Sequence, residues 1–169
     1  MQGSRVSNKD FEEKEFRDAL GRFATGVTII SSVGRNQKLI GITANSFSSV
    51  SLDPPLVLFS LGRKSQNWYE FLSTQYFAVN VLNDQQSHLS THFARSSDDK
   101  WSGIDYEVWD TGCPIVPGAI AVFECEYRYT HDGGDHVIFV GEVLRLKCDT
   151  HARPLLFYRG GYAQLPTTL

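Results

Sequence analysis

The sequence lacks several features that would place it in a special class of protein. It contains only three cysteines, Cys113, Cys125 and Cys148, and no long apolar run in 169 residues. Because these cysteines are odd in number and too widely spaced for a C-x-x-C pair, we predict reduced, mostly packed thiols rather than a disulfide framework. A helix needs about 20 apolar residues to cross a bilayer, and the N-terminus has no apolar stretch of the signal-peptide kind. We therefore expect no membrane association and a cytoplasmic location.

A basic excess is also missing. The chain has 16 Lys and Arg against 19 Asp and Glu, a formal net charge of -3. Binding to a phosphate backbone draws its affinity from such an excess, so nucleic acid is not expected as a partner. The content of 41% hydrophobic and 21% charged residues is typical of a globular protein. We predict an N-terminal tail over residues 1–10 and a single domain over residues 11–165.

Common catalytic signatures are absent as well. The sequence contains no G-x-S-x-G, P-loop or G-x-G-x-x-G motif, which disfavours hydrolases, phosphate-loop enzymes and Rossmann oxidoreductases. His88 and His92 share a face of a predicted helix, but residue 89 is Leu, so the metalloprotease pattern fails and a solvated face is favoured. We also expect no metal site in a turn of ordinary composition that contains His131, Asp132, Asp135 and His136.

Helices and strands can be placed from hydrophobic periodicity and turn residues. Asp10 and Glu13 have the pattern of a helix cap before an amphipathic helix over residues 11–23. Ser65 is predicted to cap a short helix that runs to Leu72. A third helix is predicted over residues 84–94, with Leu89 and Phe93 inward, before a mostly irregular segment. Strands are predicted at 27–33, 39–43, 56–59, 77–82 and 155–158.

The clearest alternation between the two faces of a predicted strand follows Ala119. Odd-numbered residues from 121 to 129 are predicted on one face of a long strand, and Glu124, Glu126 and Arg128 on the other. A turn at residues 131–135 connects it to a second long strand with which it pairs. Six or seven strands in meander order with two or three peripheral helices favour a mainly β (α+β) antiparallel barrel, since closure removes exposed edges.

Three segments carry candidate binding chemistry, and each also has an ordinary structural interpretation. Residues 60–67 combine two cations with small polar residues before a helix, so they could bind a phosphate or form a solvated loop. Residues 41–51 run from a strand into hydroxyls and an amide that could bind a flat heteroaromatic ring or bond to the sheet end. Gly133–His136 places an imidazole where a turn becomes a strand, with Asp135 able to raise the pKa of His136 or fix its tautomer.

Together these segments resemble a known family. The similarity covers the chain from about Phe16 to Tyr162 and rests on Arg22–Thr28, Thr43–Val57, Gly133–His136 and Leu155–Tyr162. In this order they resemble the short-chain flavin reductases that supply two-component flavin-dependent monooxygenases. The resemblance implies a homodimeric, antiparallel split β-barrel of the FMN-binding type, with a flavin groove near the subunit interface.

The resemblance also implies which residues bind the coenzymes. Four residues would meet the isoalloxazine ring: Thr43, Ala44, Asn45 and Ser46. Six would surround the ribityl phosphate: Ser60, Leu61, Gly62, Lys64, Ser65 and Asn67. A further segment would lie near the flavin, at Ala94, Arg95 and Lys100. The nicotinamide side would be formed by His136, the catalytic-site residue in an orienting role, and Tyr158.

The implied reaction is hydride transfer from NADH or NADPH to FMN or FAD, with reduced flavin passed to a separate monooxygenase. Since the coenzymes carry the reaction, no nucleophilic side chain is required. The alternative is a non-catalytic flavin- or haem-binding split barrel that acts as a sensor or carrier. An oxidase of a small phosphorylated substrate should show convergent basic residues, which the sequence lacks, and a purely structural dimer module leaves the polar segments unexplained. The preferred flavin and nicotinamide coenzyme stay open.

Overall fold

The structure, a computed structural model, describes residues 10–166. The tail predicted for residues 1–10 therefore lies, apart from Asp10, outside the described residues. The helices and strands follow in chain order: α1 Glu13–Leu20, β1 Thr25–Gly26, β2 Thr28–Val33, β3 Leu39–Ala44, β4 Ser48–Leu52, β5 Pro55–Gly62, α2 Trp68–Phe71, β6 Tyr76–Val81, α3 Ser87–Ala94, β7 Glu107–Val108, β8 Pro114–Ile115, β9 Ala121–Gly133, β10 His136–Cys148, β11 Leu156–Tyr158 and β12 Gly161–Ala163.

Seven strands form one sheet in the order β3-β2-β6-β9-β10-β5-β4, and every pair within it is antiparallel. Its centre is the hairpin of β9 and β10, two strands of 13 residues each that pair along their length. The shorter strands form the sheet β1-β11-β12 and the pair β7-β8. The predictions of a mainly β fold with antiparallel strands and of two long paired strands after Ala119 are confirmed.

The main core lies on the concave side of this sheet. Strands far apart in the sheet order contribute to one cluster, including Ile42 of β3, Phe59 of β5 and Phe139 of β10. The rings of Phe59 and Phe139 stack with their centroids 4.9 Å apart, and both side chains are fully buried. Because Ile42 and Phe59 share a cluster, the sheet curls and brings the ends of β3 and β5 towards each other.

The first helix differs from its prediction. It covers Glu13–Leu20 rather than residues 11–23, and its N-cap is Glu12 rather than Asp10. A reciprocal pair of hydrogen bonds still closes its first turn, as in other capping boxes. No residue of α1 is buried, and the apolar side chains of the helix and the following turn are exposed: Phe16, Leu20 and Phe23.

The first half of β9 is buried on both faces, which alternation alone did not predict. Glu124, expected on the solvent face with Glu126, is 0% exposed. The segment around β8 covers that face, where Cys113 and Ile115 pack against Val122. One oxygen of the Glu124 carboxylate accepts hydrogen bonds from the backbone N–H and the hydroxyl of Thr111.

The two later helices begin after the residues predicted to start them. Asn67, not Ser65, is the N-cap residue of α2, which has only four residues. The third helix begins at Ser87 rather than Asp84, and Phe93 within it is buried as predicted. Residues 95–118 contain only the two-residue strands β7 and β8, so the prediction of a mostly irregular segment is confirmed.

All three cysteines are free thiols. Cys113 and Cys125 are buried, as predicted, whereas Cys148 is exposed. Burial raises the pKa of Cys113 to about 11, so this thiol is a poor nucleophile near neutral pH. Within residues 10–166 no helix is both long enough and apolar enough to cross a bilayer.

Candidate functional site

A cavity of about 410 Å³ opens where four parts of the chain meet. They are the end of β3, the end of β5 with the loop that follows it, the end of α3 and the start of β10. The curl of the sheet brings β3 and β5 together, and the register of β10 on β5 places His136 opposite Gly62. This volume is within the range of pockets that bind small molecules and cofactors.

All of the predicted site residues except Lys64 and Tyr158 line this cavity. They are Thr43, Ala44, Asn45, Ser46, Ser60, Leu61, Gly62, Ser65, Asn67, Ala94, Arg95, Lys100 and His136. The structure thus brings together segments that are up to 93 positions apart in the numbering, from Thr43 to His136. Their roles as coenzyme contacts stay predictions. Four lining residues were not among the implied coenzyme contacts: Ile42 and Gln66, which lie within the candidate segments 41–51 and 60–67, and Phe93 and Ser96, which lie outside them.

Two of the hydroxyls predicted to meet a ring already have partners within the protein. The Thr43 hydroxyl donates to the Ser90 carbonyl of α3, with an O–O distance of 2.6 Å. The Ser46 hydroxyl accepts from the backbone N–H of Ser60 at 2.9 Å and donates to its carbonyl at 3.1 Å. These hydroxyls therefore fix the end of β3 against α3 and β5. This agrees with the structural interpretation of residues 41–51, in which the hydroxyls bond to the end of the sheet.

Asn45 remains available at this wall. It is exposed, its side-chain amide makes no hydrogen bond within residues 10–166, and it also lines a second cavity. An amide offers both a donor and an acceptor, which suits the alternating C=O and N–H groups on the edge of a heteroaromatic ring. Asn45 is therefore the side chain of this segment best placed to read such an edge.

The opposite end of the cavity is formed by the loop after β5. The Ser65 hydroxyl oxygen accepts from the backbone N–H of Asn67 at 3.3 Å, so its own hydrogen is free for another acceptor. Asn67 is buried, and its amide donates to the Gly41 carbonyl at 3.3 Å. Because α2 is so short, the hydroxyl and amide groups of this loop, rather than a helix terminus, would carry anion binding here.

The two cations of this loop do not line the cavity. Arg63 is held by the β9–β10 turn, where it donates to the Gly134 carbonyl at 3.0 Å and pairs with Asp132 at 3.3 Å. Its guanidinium also lies 5.0 Å from the centre of the Trp68 ring. Lys64 is exposed beside the mouth of the cavity and contributes to a lowered pKa of Asp135, behind the larger effect of His136.

Lys100 supplies a buried cation at the cavity wall. It is 8% exposed, and its ammonium group donates to the Phe93 carbonyl at the end of α3, with an N–O distance of 2.8 Å. Burial lowers the pKa of Lys100, because removal from water disfavours the charged form. An anionic ligand in the cavity would compensate for this loss of hydration.

This burial makes the stability of the unliganded protein depend on pH. Between the lowered pKa and the ordinary value, the unfolded chain binds more protons at this site than the folded chain. The free energy of unfolding of the wild type, relative to Lys100→Met, should therefore rise as the pH increases from the lowered pKa towards the ordinary lysine value of 10.5. Chemical denaturation at several pH values measures it. Lys38→Met, which removes a lysine from an exposed site, is the control, and a flat or falling difference for Lys100→Met would contradict this account.

His136 lies at the mouth of the cavity with its side chain 49% exposed. Its Nδ1 is 2.7 Å from Oδ1 of Asp135. The ring lies over Gly62, where a Cβ atom would come within 3.5 Å of Nε2. A Cβ atom at position 62 would thus make ordinary van der Waals contact with the imidazole.

A second cavity of about 190 Å³ adjoins the first and shares Thr43, Asn45 and Ala94 with it. Phe157 and Tyr162 complete its aromatic side, with their ring centroids 5.8 Å apart. The Tyr162 hydroxyl donates to the Ser90 hydroxyl at 2.8 Å. Tyr158, predicted with His136 on the nicotinamide side, is 41% exposed and lines neither cavity, so its role stays a prediction, whereas Phe157 and Tyr162 line this cavity and were not predicted. The sequence predicted a last strand at residues 155–158, but it did not show which side chains of this strand face the cavity.

The two histidines of α3, His88 and His92, make hydrogen bonds within the fold. Nε2 of His92 lies 2.7 Å from the Lys100 carbonyl, so this residue is not on the solvated face that was predicted. His88 is exposed and its Nδ1 is 3.2 Å from the Gln85 carbonyl. No group of three or more His, Cys, Asp or Glu residues suited to a metal ion occurs within residues 10–166.

Comparison with known proteins identifies relatives of this arrangement. The domain family described as "Flavin reductase like domain" matches residues 20–166. An FMN reductase (NADH) of Agrobacterium fabrum is 43% identical over 151 residues, which cover 89% of this chain and 85% of that protein. The reductase subunit of a flavin-dependent monooxygenase of Mycobacterium tuberculosis is 39% identical, over 89% of this chain and 81% of the subunit.

A solved structure shares the fold. The NADH:FAD oxidoreductase of Streptomyces globisporus, in complex with NAD and FAD fragments, has a TM-score of 0.88 and 35% identity, over 93% of this chain and 94% of that one. Another relative, a probable flavin reductase of Rhizobium meliloti, is 42% identical over 90% of this chain. This chain spans about half of that protein's length, 49%.

Proposed function

The chain belongs to the flavin reductase like domain family, and from this premise we propose that it transfers a hydride from NADH or NADPH to FMN or FAD. The reduced flavin would then pass to a separate monooxygenase component. The names of relatives support both parts, since one is an NADH-dependent FMN reductase and another the reductase subunit of a monooxygenase.

The observation that carries the proposal is the distribution of free polar groups around the cavity. Asn45 stands at one wall, the Ser65 hydroxyl at the far end and the buried ammonium of Lys100 between α3 and the opening. This set fits a flavin mononucleotide, because the ring needs edge hydrogen bonds and the phosphate needs donors and positive charge. Apolar groups of Ile42, Ala44 and Phe93 offer surface to the ring faces.

The protein contributes binding and orientation to this reaction. When bound, the flavin supplies the electron-accepting ring and the dihydronicotinamide supplies the hydride. Asn45 and the end of β3 would orient the ring, and Ser65 and Asn67 would hold the phosphate. His136, exposed at the mouth beside Gly62, would orient the nicotinamide on the open side. The nicotinamide would approach the flavin ring from this exposed mouth.

A spectrophotometric assay tests this proposal. The purified protein is mixed with NADH or NADPH and with FMN, FAD or riboflavin, and the nicotinamide absorbance is followed with and without each flavin. We expect nicotinamide oxidation that depends on added flavin. A firmly retained pigment without turnover would contradict the reductase and favour a flavin- or haem-binding carrier.

His136 should affect the nicotinamide more than the flavin. His136→Ala removes the orienting group at the mouth but leaves the ring wall and phosphate loop unchanged, so we expect the KM for NADH to rise about tenfold, the value of one hydrogen bond. Flavin affinity, measured by fluorescence titration, should change less than about twofold. His131→Ala, on the same hairpin but outside the cavity, is the control. Equal losses for both coenzymes would contradict the assignment.

We further propose that the curled sheet is a split β-barrel of a homodimer. An exposed apolar surface, here called the β4–β10 surface, supports this proposal: Val50, Leu52, Leu144 and Leu146, of which Leu52 is 94% exposed. Beyond Glu142, β10 has lost β5 as its neighbour on one side, so a stretch of strand edge is open there within the described residues. Apolar surface beside an open strand edge is typical of an interface between chains.

Sedimentation equilibrium tests the dimer. We expect a mass near twice the 19.0 kDa of the chain at micromolar concentration. Leu52→Asp should weaken the dimer because it places a charge in the β4–β10 surface. Asp53→Asn is a control that does not add charge there. A monomeric wild type at these concentrations would contradict the proposal.

A further inference from the structure

The carboxylate of Asp135 restricts the hydrogen position on the His136 ring. An ionised carboxylate only accepts hydrogen bonds, and its Oδ1 is 2.7 Å from Nδ1 of the ring. The hydrogen bond from His136 is the largest cause of a lowered pKa of Asp135, so this carboxyl group is ionised at neutral pH. The Nδ1 atom therefore carries a hydrogen whether or not the ring is charged, and the neutral ring has its lone pair on Nε2.

The other nitrogen is free to meet a ligand. Nε2 has no hydrogen-bond partner within residues 10–166. Among the ring atoms, it is the nearest to the position that a Cβ atom would take on Gly62. His136 itself lines the large cavity. A neutral His136 thus presents an acceptor, not a donor, at the side of the cavity where β5 and β10 meet.

The backbone of this turn is held independently of the Asp135 side chain. The Asp135 carbonyl accepts from the backbone N–H of Arg63 at 2.9 Å, and the Asp132 carboxylate accepts from the backbone N–H of Gly134, also at 2.9 Å. Arg63 adds its own bonds to Gly134 and Asp132. Removing the Asp135 charge therefore leaves the turn tied to the loop after β5.

We propose that Asp135 is a positioning residue that locks neutral His136 in the Nδ1–H form, so that Nε2 accepts a hydrogen bond from the carboxamide NH₂ of the dihydronicotinamide. This inference rests on the proposed reductase function and names the nicotinamide group that His136 recognises. The carboxamide NH₂ is the one hydrogen-bond donor on that ring other than carbon-bound hydrogens. A site that bonds to such a donor discriminates against an analogue that lacks it.

The charged groups around this pair also bear on the test. Asp132 and Arg63 form an ion pair beside this turn, Lys64 contributes to the lowered pKa of Asp135, and Arg95 and Lys100 line the cavity. Asp132→Asn is therefore the matched control for Asp135→Asn. Both variants remove one carboxylate charge from the same turn, but only Asp135 contacts the imidazole.

The first measurement reads the ring directly, without any coenzyme. Long-range proton–nitrogen NMR of protein labelled with nitrogen-15 histidine distinguishes the two neutral forms, and the His136→Gln variant assigns the signal. At a pH where titration shows the ring to be neutral, we expect the Nδ1–H form in the wild type and in Asp132→Asn. In Asp135→Asn we expect a mixture, because an amide can either accept from Nδ1 or donate to it. A predominant Nε2–H form in the wild type would overturn the proposal.

The second measurement compares two hydride donors at saturating flavin. Reduced 3-acetylpyridine adenine dinucleotide carries a methyl group where NADH carries the amide NH₂. The ratio of kcat/KM for NADH to that for the analogue should fall about tenfold in Asp135→Asn, the worth of one hydrogen bond, and stay within about twofold of wild type in Asp132→Asn. Asp135→Glu, which keeps an accepting carboxylate, should restore part of the ratio.

The outcomes separate this inference from the reductase function. Wild-type turnover whose ratio is unchanged in Asp135→Asn, or falls equally in Asp132→Asn, would overturn the positioning role and leave the reductase proposal standing. A wild type that oxidises neither donor in the presence of flavin would overturn both.

Discussion

Ala94→Trp is expected to raise the KM for FMN by about 10- to 100-fold. Ala94 lies at the end of α3 and lines both cavities, so an indole at this position would occupy the space assigned to the flavin ring. Overpacking usually costs about 1–3 kcal/mol, and a 10- to 100-fold loss of affinity, about 1.4–2.8 kcal/mol, lies within that range. Since Ala94 is exposed, the substitution should not disturb the core.

Steady-state kinetics at varied FMN concentration measure the KM, and flavin titration measures the affinity directly. A thermal unfolding curve shows whether the variant is folded. His88→Trp provides a matched control, because it places the same side chain on an exposed position of α3 that lines neither cavity. It should leave the KM for FMN within about twofold of wild type. An Ala94→Trp protein that binds FMN normally would place the flavin elsewhere on the molecule.

Phe59→Ala is expected to lower the free energy of unfolding by about 3–5 kcal/mol, the usual cost of removing a fully buried aromatic ring. Phe59 is 0% exposed and contacts Phe71, Phe77 and Phe139 at centroid distances of 5.8, 5.2 and 4.9 Å. Its loss leaves a void in the cluster that brings β3 and β5 together. The cavity walls would consequently lose their common support.

Urea denaturation measures the loss, with Tyr69→Ala as the control because that ring is 72% exposed. We expect less than about 1 kcal/mol for the control, as for most surface substitutions. A small loss for Phe59→Ala would mean that the sheet does not depend on this cluster for its curl.

The sequence predicted the parts of the fold that depend on local periodicity. The hairpin of β9 and β10 was predicted because alternation over many residues and a glycine-rich turn both indicate it. The irregular segment was predicted because its periodicity is weak. Yet the same segment folds over β9 and buries Glu124, and alternation cannot reveal such a second layer.

The candidate site shows a similar division. The motif series placed Asn45, Ser65 and His136 at one cavity, although these residues are distant in sequence. What the sequence could not show is which polar groups are already used within the protein. The Thr43 and Ser46 hydroxyls bond to Ser90 and Ser60, and Arg63 bonds to the β9–β10 turn. Those partners depend on the sheet's curl and register, which are tertiary features.

The helices were placed correctly but bounded poorly. Ser65 is a residue type that often caps helices, but its hydroxyl accepts from the backbone N–H of Asn67 in the preceding turn. The helix itself begins at Trp68, with Asn67 as its N-cap. The exposed apolar side chains of α1 followed the helical period without facing this chain's core. Periodicity reports which residues share a face, whereas the packing partner of that face is set by the rest of the molecule.

A crystal structure of the protein with FMN and NAD⁺ bound together is the most direct test of the account. It should show the flavin ring against Thr43–Ser46, its phosphate at Ser65–Asn67 and the nicotinamide beside His136. The reacting atoms of the two rings should be about 3–3.5 Å apart, the distance needed for transfer. Flavin bound outside this cavity, or a nicotinamide unable to reach the ring face beside His136, would contradict the account.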